Sequence, residues 1–272
     1  LTVPIQRSSE SVGEGEGGVA FDLENGPLVR AYLVENGPES HTLVLSAHHI
    51  VCDGWSFGIV IHEMAVLYGG DNLPAAPSYG EYARRLEAES APETQEYWKN
   101  LLTPTPPTLN LPTDRPHPTQ RTFAGSRVER VLEPETLAEV KALSTKRGAT
   151  LYTTLLTACG VLLHRLTGQT DIVLGSPAAG QATDSEQGLV GHCVHLLPLR
   201  LNLESKLSFT EQLTRTRTLV LDSFEYPAVT FGELVQALNL PREAGRVPLV
   251  GATFNLDKEE LPAHIGAVKM TM

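Results

Sequence analysis

Two adjacent histidines are followed at a fixed distance by an aspartate and a glycine in the stretch SAHHIVCDGWS, residues 46–56. His48 and His49 end an apolar run, and Asp53 and Gly54 come four and five residues after His49. An imidazole titrates near neutral pH, so it can accept a proton from a nucleophile or hold that nucleophile in place. We therefore take this stretch as the candidate for acid–base chemistry.

Two other interpretations fit the same residues. A histidine at a strand end is commonly a structural residue whose ring is satisfied by its neighbours. Metal binding is the second, because Cys52, His192, Cys193 and His195 are further ligand types. However, the spacings HHxxC and HCxH are not those of zinc sites, and adjacent side chains on extended backbone point to opposite faces. We therefore expect no metal, and we expect one histidine to face a cleft while the other packs inward.

The composition excludes several classes of partner. The chain has 272 residues and a formal net charge of −11, which disfavours nucleic acid and gives no attraction to an anionic membrane. It contains no apolar run long enough to span a bilayer, and its first residues lack the order of a signal peptide. Three scattered cysteines do not make a disulfide framework, so a cytoplasmic location is expected. Residues 9–18 are rich in Ser, Glu and Gly, which predicts a loop or disorder.

The histidines lie where a predicted strand meets a predicted helix. LVRAYLV and HTLVLSA, joined by a turn at Asn36-Gly37-Pro38, are predicted to form a hairpin. WSFGIVIHEMAVLYGG has apolar residues at helical spacing (Phe57, Ile61, Met64 and Tyr68) and ends in two glycines. SYGEYARRLEAESAPETQEYWKNLL is predicted to be helical in two pieces, broken at Pro92.

Six prolines in residues 103–118 predict an extended connector between an N-terminal lobe, 1–102, and a C-terminal lobe, 119–272. The second lobe begins with a predicted strand, SRVERVL, and two helices, PETLAEVKALSTKRG and TLYTTLLTACGVLLHRLTG. Leu151, Leu155, Ala158 and Leu162 are expected on one face of the second helix. DIVLGSP, CVHLLPLRLNL and RVPLVGATFNLD are strand candidates, and capping boxes start helices at Ser208 and Thr230. Mixed strands and helices predict an α/β or α+β protein.

HHIVCDGWS resembles the HHxxxDG signature of the condensation domains of nonribosomal peptide synthetases, which belong to the chloramphenicol acetyltransferase-like superfamily. Further stretches resemble the same family in the expected order: FDLENGPLVRAYL, YGEYARR, YWKNLL, LPTDRPHP, VGHCVHLLPLR, FEYPAVTFGELVQAL and VPLVGATFNLD. Arg85 stands where tryptophan is common, Cys193 replaces a phenylalanine and His195 replaces an asparagine. The family's SxAQxR and RHExLR segments have no counterpart, and the chain stops soon after FNLD, so we expect a fragment of a domain.

The resemblance implies two lobes with mixed sheets flanked by helices, which form a V-shaped pseudo-dimer with a cleft between them. It implies an acyltransferase that forms an amide between a donor acyl or peptidyl thioester and an acceptor aminoacyl thioester, in nonribosomal or hybrid polyketide-peptide synthesis. No cofactor is expected to be bound, because both substrates arrive on the 4'-phosphopantetheine arms of peptidyl carrier proteins. An adenylation domain is expected beside this one in the parent chain.

The resemblance also assigns roles to the residues of the signature. His49 is expected to act on the acceptor amine, as a general base or as an acceptor that orients it, and His48 to be structural. Asp53 is expected to fix the loop through an ion pair with Arg200.

The remaining assignments concern the helix start and the later strand. Gly54 allows a sharp entry into the helix and could aim its N–H at the oxyanion. Trp55 and Ser56 are interpreted as helix start and wall. His192 and His195 are possible lining residues of the cleft, although strand histidines are more often structural.

Three alternatives stay open. A coenzyme A-dependent acyltransferase of the same superfamily carries a shorter HxxxD motif. An epimerization domain shares the histidine pair, although DGWS has the condensation form of the ending; a heterocyclization domain is disfavoured because it replaces the pair. A non-catalytic domain that only docks carrier proteins is the third.

Overall fold

The structure, a computed structural model, describes residues 5–8, 19–89, 92–116, 118, 124–181, 187–226, 229–240, 245–257, 264–265 and 268–269. The chain divides into two compact units. Unit 1 comprises Leu1–Tyr82, Gln181–Cys193 and Glu259–Met272, and unit 2 comprises Ala83–Gly180 and Val194–Lys258. The division into 1–102, 103–118 and 119–272 runs along the sequence and stays a prediction. The units themselves interleave the two halves of the chain.

Unit 1 contains a three-stranded sheet. Its order is β1 (Ile5–Ser8), β2 (Val29–Gly37) and β3 (Ser40–Ala47), with β1 parallel to β2 and β2 antiparallel to β3. The predicted hairpin is confirmed by the β2–β3 pairing, which places Val29 opposite Ala47. The predicted loop at residues 9–18 lies outside the described residues. The sheet therefore delivers the chain to His48 at one end of β3.

Helix α1 (Gly54–Tyr68) follows the histidines, as predicted. Asp53 is its N-cap, and the side chain of Asp53 accepts a hydrogen bond from the backbone N–H of Ser56. Gly69 closes the helix, because its N–H bonds back to the carbonyl of Ala65. The loop of residues 48–53 therefore lies between a strand and a capped helix, which fix its two ends.

Unit 2 contains a second three-stranded sheet, in the order β5–β4–β6. Strands β4 (Asp171–Ala179) and β5 (Val194–Asn202) are antiparallel along their whole length. The third strand, β6 (Ala252–Thr253), is parallel to β4 and has only two residues, so most of the strand predicted in RVPLVGATFNLD does not form. A short pair near the end of the chain, β7 (His264–Ile265) and β8 (Val268–Lys269), was not predicted.

The remaining helices are α2 (Tyr79–Glu89), α3 (Pro92–Leu101), α4 (Pro134–Lys146), α5 (Leu151–Thr167), α6 (Phe209–Phe224) and α7 (Phe231–Ala237). The predicted break at Pro92 is confirmed, because α3 starts there. Both predicted capping boxes are present, Ser208 with Glu211 and Thr230 with Glu233. Local sequence signals therefore set the starts of these helices.

The buried residues of α5 are not the four apolar residues that were predicted to share one face. Ala158 and Leu162 are exposed, whereas Leu156, Leu163 and several polar residues are buried. The hydroxyl of Thr157 is satisfied by the carbonyl of Thr153, so threonine can be buried there without an unpaired group. Gly160 is also buried, and a Cβ at that position would lie 2.7 Å from Leu201 Cδ1. The spacing places the four predicted residues on one face of the helix, but that face is not the buried one.

The prediction of a strand in SRVERVL is wrong. Residues 124–133 have no regular secondary structure, and Val128 and Val131 are largely exposed. No backbone among the described residues pairs with this segment, and a strand needs such a partner. The described part of the connector, 103–116 and 118, likewise contains neither helix nor strand.

The main core lies in unit 2. Buried leucines of β5 and the leucine just after that strand pack, together with Ile172 and Leu174 of β4, against Leu156 and Trp98. The indole N–H of Trp98 donates to the carbonyl of Tyr226, so this fully buried ring leaves no polar group unpaired. No helix within the described part of the chain is both long enough and apolar enough to cross a bilayer.

Candidate active site

The two histidines have different surroundings. His49 is exposed, whereas His48 is half-buried. The Nδ1 atom of His48 accepts the backbone N–H of Ile50 at 3.1 Å, and its ring meets the ring of Phe21 edge-on at 5.7 Å between centroids. His48 is thus tied to its own loop, and His49 is the member of the pair that a substrate can reach.

The ring of His49 meets a second histidine from far along the chain. Its Nδ1 atom lies 3.1 Å from Nδ1 of His192, and the ring centroids are 5.1 Å apart. Within the described residues, no hydrogen bond reaches the other ring nitrogen of His49, Nε2. His49 therefore presents one ring nitrogen to a protein partner, and its other ring nitrogen meets no partner among the described residues.

Asp53 is buried, with 1% of its surface exposed. Its Oδ1 accepts the N–H of Ser56 at 2.8 Å, and its Oδ2 accepts the N–H of Cys193 at 2.9 Å. Burial acts to raise the pKa of Asp53, but the hydrogen bonds from Ser56, Cys193 and Gln181 outweigh it and lower the pKa below its usual value. The carboxylate is therefore ionised and joins the start of α1 to residues 191–193.

The predicted ion pair between Asp53 and Arg200 is corrected by these contacts. Arg200 pairs with Asp171 instead, at 2.9 Å from Nε and 2.7 Å from Nη2, and donates from Nη1 to the carbonyl of Leu101. Asp171 faces Asn202 in the β4–β5 register, so Arg200 is its diagonal neighbour on the sheet. Asp53 needs no cation, because backbone N–H groups already occupy both of its oxygens.

Ser56 has a structural role that the sequence did not reveal. Its side chain is completely buried, and its Oγ donates to the carbonyl of Gly191 at 2.8 Å. The same oxygen accepts the N–H of Gly191 at 3.0 Å and the side-chain amide of Gln181 at 3.3 Å. One donor and two acceptor positions are all that a hydroxyl offers, so Ser56 is fully used. It is a clamp on Gly191 rather than a wall.

Tyr79 was also missed. Its hydroxyl donates to the carbonyl of His192 at 2.9 Å, and its ring covers Gly191 so closely that a Cβ there would lie 2.2 Å from Cδ2. Any side chain at Gly191 would displace the ring. The glycine in VGHCVH was therefore the available signal that another group approaches this backbone.

Gly54 and Trp55 start α1 on its exposed side. Gly54 does not have a positive φ, so any residue can adopt its backbone conformation. The interpretation that a sharp entry into the helix needs glycine here is therefore wrong. A Cβ at Gly54 would meet no described atom within 4 Å. Trp55 is 60% exposed. Neither residue is explained by packing within the described part of the chain.

The thiols beside Asp53 are not nucleophiles. Burial, with a smaller effect of the Asp53 charge, raises the pKa of Cys52 and of Cys193 to about 11, so both stay protonated at neutral pH. His195 lies buried on β5 in unit 2, whereas His192 lies in unit 1. Among the described residues, no group of three or more His, Cys, Asp and Glu side chains is placed to share a metal ion.

Comparison with known proteins decides the family. The condensation domain family matches residues 15–264. The chain belongs to the condensation domain family. It is 38% identical over 250 residues to malpibaldin synthetase of Mortierella alpina, covering 86% of this chain and 4% of that protein. It is 35% identical over 252 residues to malpinin synthetase of the same organism, covering 89% of this chain and 3% of that protein.

A solved structure shows the same fold. The condensation domain from the monacolin K polyketide synthase MokA superposes with a TM-score of 0.77 and 25% identity, over 98% of this chain and 66% of that one. The expected fold class, that of the chloramphenicol acetyltransferase-like superfamily, is thereby confirmed. This condensation domain spans only a few per cent of the length of its curated relatives.

Proposed function

We propose that this condensation domain forms an amide bond between two thioester substrates, with His49 acting on the attacking amine. The donor is an acyl or peptidyl thioester, and the acceptor is an aminoacyl thioester whose free amine is the nucleophile. The products are a chain lengthened by one residue on the acceptor and a free thiol on the donor.

The observation that carries this proposal is the position of His49. Its ring is exposed at the junction of β3 and α1, and one nitrogen contacts His192. Buried Asp53 anchors the backbone at Ser56 and at Cys193. A general base needs such a ring, reachable from solvent and fixed in direction. The protonated thiols of Cys52 and Cys193 argue against a covalent cysteine intermediate.

The reaction needs little more than a neutral amine held against the carbonyl. The amine nitrogen bonds to the donor carbonyl carbon, the carbon–sulfur bond breaks, and the amine proton ends on the departing sulfur through Nε2 of His49. An α-ammonium group has a pKa of about 7.7–8.0, so an appreciable fraction of the amine is neutral near pH 7. Its N–H becomes acidic as the new carbon–nitrogen bond forms, and a histidine can then accept the proton. Holding both substrates side by side contributes several kcal/mol through effective molarity.

The substrates follow from the same proposal. Each arrives on the phosphopantetheine arm of a peptidyl carrier protein, so the partners are a donor and an acceptor carrier protein, with an adenylation domain in the same synthetase. The reaction then takes place in the cytoplasm, without a cofactor bound to this domain. The net charge of −11 supports protein partners over nucleic acid.

The test is a transfer assay with the purified protein. A donor carrier protein loaded with an acyl-phosphopantetheine and an acceptor carrier protein loaded with an aminoacyl-phosphopantetheine are mixed with it, and the acceptor is analysed by intact-protein mass spectrometry. We expect the acceptor to gain the mass of the acyl group only when the protein is present.

The other classes give different results in the same assay. Acylation of a free amine by acyl-coenzyme A, with no transfer between carrier proteins, would identify a coenzyme A-dependent acyltransferase. Inversion of the α-carbon of a loaded substrate would identify an epimerase. Carrier-protein binding without transfer would identify a docking domain. Each of these outcomes would contradict the proposal.

A further inference from the structure

The contact between His49 and His192 constrains the protons of both rings. A neutral imidazole has one N–H and one lone pair, so a hydrogen bond between the two Nδ1 atoms requires a proton on one and a lone pair on the other. Their separation of 3.1 Å and the interplanar angle of 75° suit such a bond. The tautomer of one ring therefore determines the tautomer of the other.

The backbone that carries His192 is anchored on both sides. Its own carbonyl accepts from the Tyr79 hydroxyl, both backbone groups of Gly191 bond to Ser56, and the N–H of Cys193 bonds to Asp53. A ring on an anchored backbone can hold a partner ring in one orientation, whereas a ring on a loose loop cannot. Asp53 and Ser56 come from the same strand-to-helix region that carries His49.

We propose that His192 is a positioning residue for His49: its Nδ1 accepts the Nδ1 proton of His49 and so leaves the lone pair of His49 on Nε2. This inference rests on the proposed function, because that lone pair is the one that meets the acceptor amine. An acceptor behind a catalytic histidine fixes both the ring and its tautomer.

The contact also stabilises the charge that forms during the reaction. When Nε2 of His49 takes the proton released by the attacking amine, the bond from Nδ1 of His49 to His192 becomes charge-assisted and stronger. Nε2 then returns the proton to the departing thiolate, and His49 is neutral again. His192 exchanges no proton with the substrate, and this is why its role is positioning.

The variants that test this differ in hydrogen-bonding capacity at one position. His192→Asp offers only acceptors, His192→Asn offers an acceptor and a donor, and His192→Leu offers neither. We expect His192→Leu to lower kcat by about 10- to 100-fold, the range found when the orienting partner of a metal-binding histidine is removed. The KM for the loaded acceptor should stay within about twofold, and Asn and Asp should each restore most of kcat. His62→Leu, at an exposed position of α1, is the matched control and should behave as wild type.

Two kinetic outcomes would overturn the proposal. Wild-type kcat in His192→Leu would show that the contact does not matter for the reaction. Recovery by Asn but not by Asp would show that His192 donates to His49 instead of accepting from it.

A second measurement separates this inference from the proposed function. Nitrogen-15 NMR of the histidine-labelled chain identifies the protonated nitrogen of each neutral ring. We expect the proton of His49 on Nδ1, and a mixture of tautomers in His192→Leu. A proton on Nε2 of His49 in the wild type would overturn the pairing. The expected spectra in a protein without transfer activity would support the pairing and contradict only the proposed function.

Discussion

Oδ2 of Asp53 accepts a hydrogen bond from the backbone N–H of Cys193 at 2.9 Å, between residues 140 positions apart in the chain. The other oxygen caps helix α1, which follows the catalytic candidate His49. One buried carboxylate therefore fixes two backbones, and each of them carries one of the two rings in contact.

His49→Ala should lower the rate of amide formation by about 10²-fold or more, because the exposed ring is the proposed proton acceptor. The melting temperature should change little, since the ring is exposed and its contact is with His192, which is exposed as well. Single-turnover transfer between loaded carrier proteins measures the first effect, and calorimetry measures the second. His41→Ala, at an exposed position of β3, is the control. Turnover at the wild-type rate in His49→Ala would remove His49 from the reaction.

The stability supplied by Asp53 should depend on pH. Its pKa is lowered in the folded protein, so its contribution is fully present above its unfolded pKa of about 3.9 and is lost as the pH falls through the folded value. Urea unfolding of the wild type and of Asp53→Asn should therefore differ most near neutral pH and converge below about pH 4. A difference that does not change with pH would mean that folding leaves the pKa of Asp53 unchanged.

Ser56→Ala should destabilise the protein by about 1–3 kcal/mol, because it leaves the buried N–H of Gly191 without its partner and removes one of the two hydrogen bonds to the carbonyl of Gly191. Chemical denaturation at neutral pH measures the change. Ser223→Ala is a matched control, since that serine is also fully buried but its hydroxyl bonds to that of Tyr97 in unit 2. We expect Ser56→Ala, and not Ser223→Ala, to slow transfer as well. Equal effects on transfer would contradict a specific role for the Ser56 clamp.

Gly54→Ala should fold as well as the wild type. The backbone of Gly54 suits any residue, a Cβ has free space, and alanine is the better helix former by up to about 1 kcal/mol inside a helix. We expect an unchanged or raised melting temperature together with slower transfer, which would mean that a substrate approaches this position. A lower melting temperature would show that the glycine is structural after all.

Arg200 and Asp171 should be energetically coupled by about 1–3 kcal/mol, as expected for hydrogen bonds between charged groups on a largely covered sheet. A double-mutant cycle with Arg200→Gln and Asp171→Asn measures this coupling. The parallel cycle with Asp53→Asn is the control and should give a value near zero. Coupling to Asp53 alone would restore the pairing that the sequence suggested.

Much of this arrangement could be predicted because its signals are local. Two strand-like segments joined by a short Gly/Pro turn indicated the β2–β3 hairpin, and capping boxes indicated the starts of α6 and α7. The partners of Asp53 could not be predicted in the same way, because one of them is a backbone group brought from 140 positions away. Nor could the His49–His192 contact, since nothing in GHCVH specifies which ring meets the first pair. The buried threonines of α5 were missed because their hydroxyls bond within the helix.

The interleaving of the two units sets an order of events during synthesis. At about 5–20 residues per second, the ribosome needs on the order of 10 s to reach Cys193 after it has made Asp53. During that interval the carboxylate of Asp53 lacks the N–H of Cys193, and the hydroxyl of Ser56 lacks both backbone groups of Gly191. A nascent chain stalled before residue 193 cannot complete these hydrogen bonds. We expect this to be the stage at which the protein most depends on chaperones.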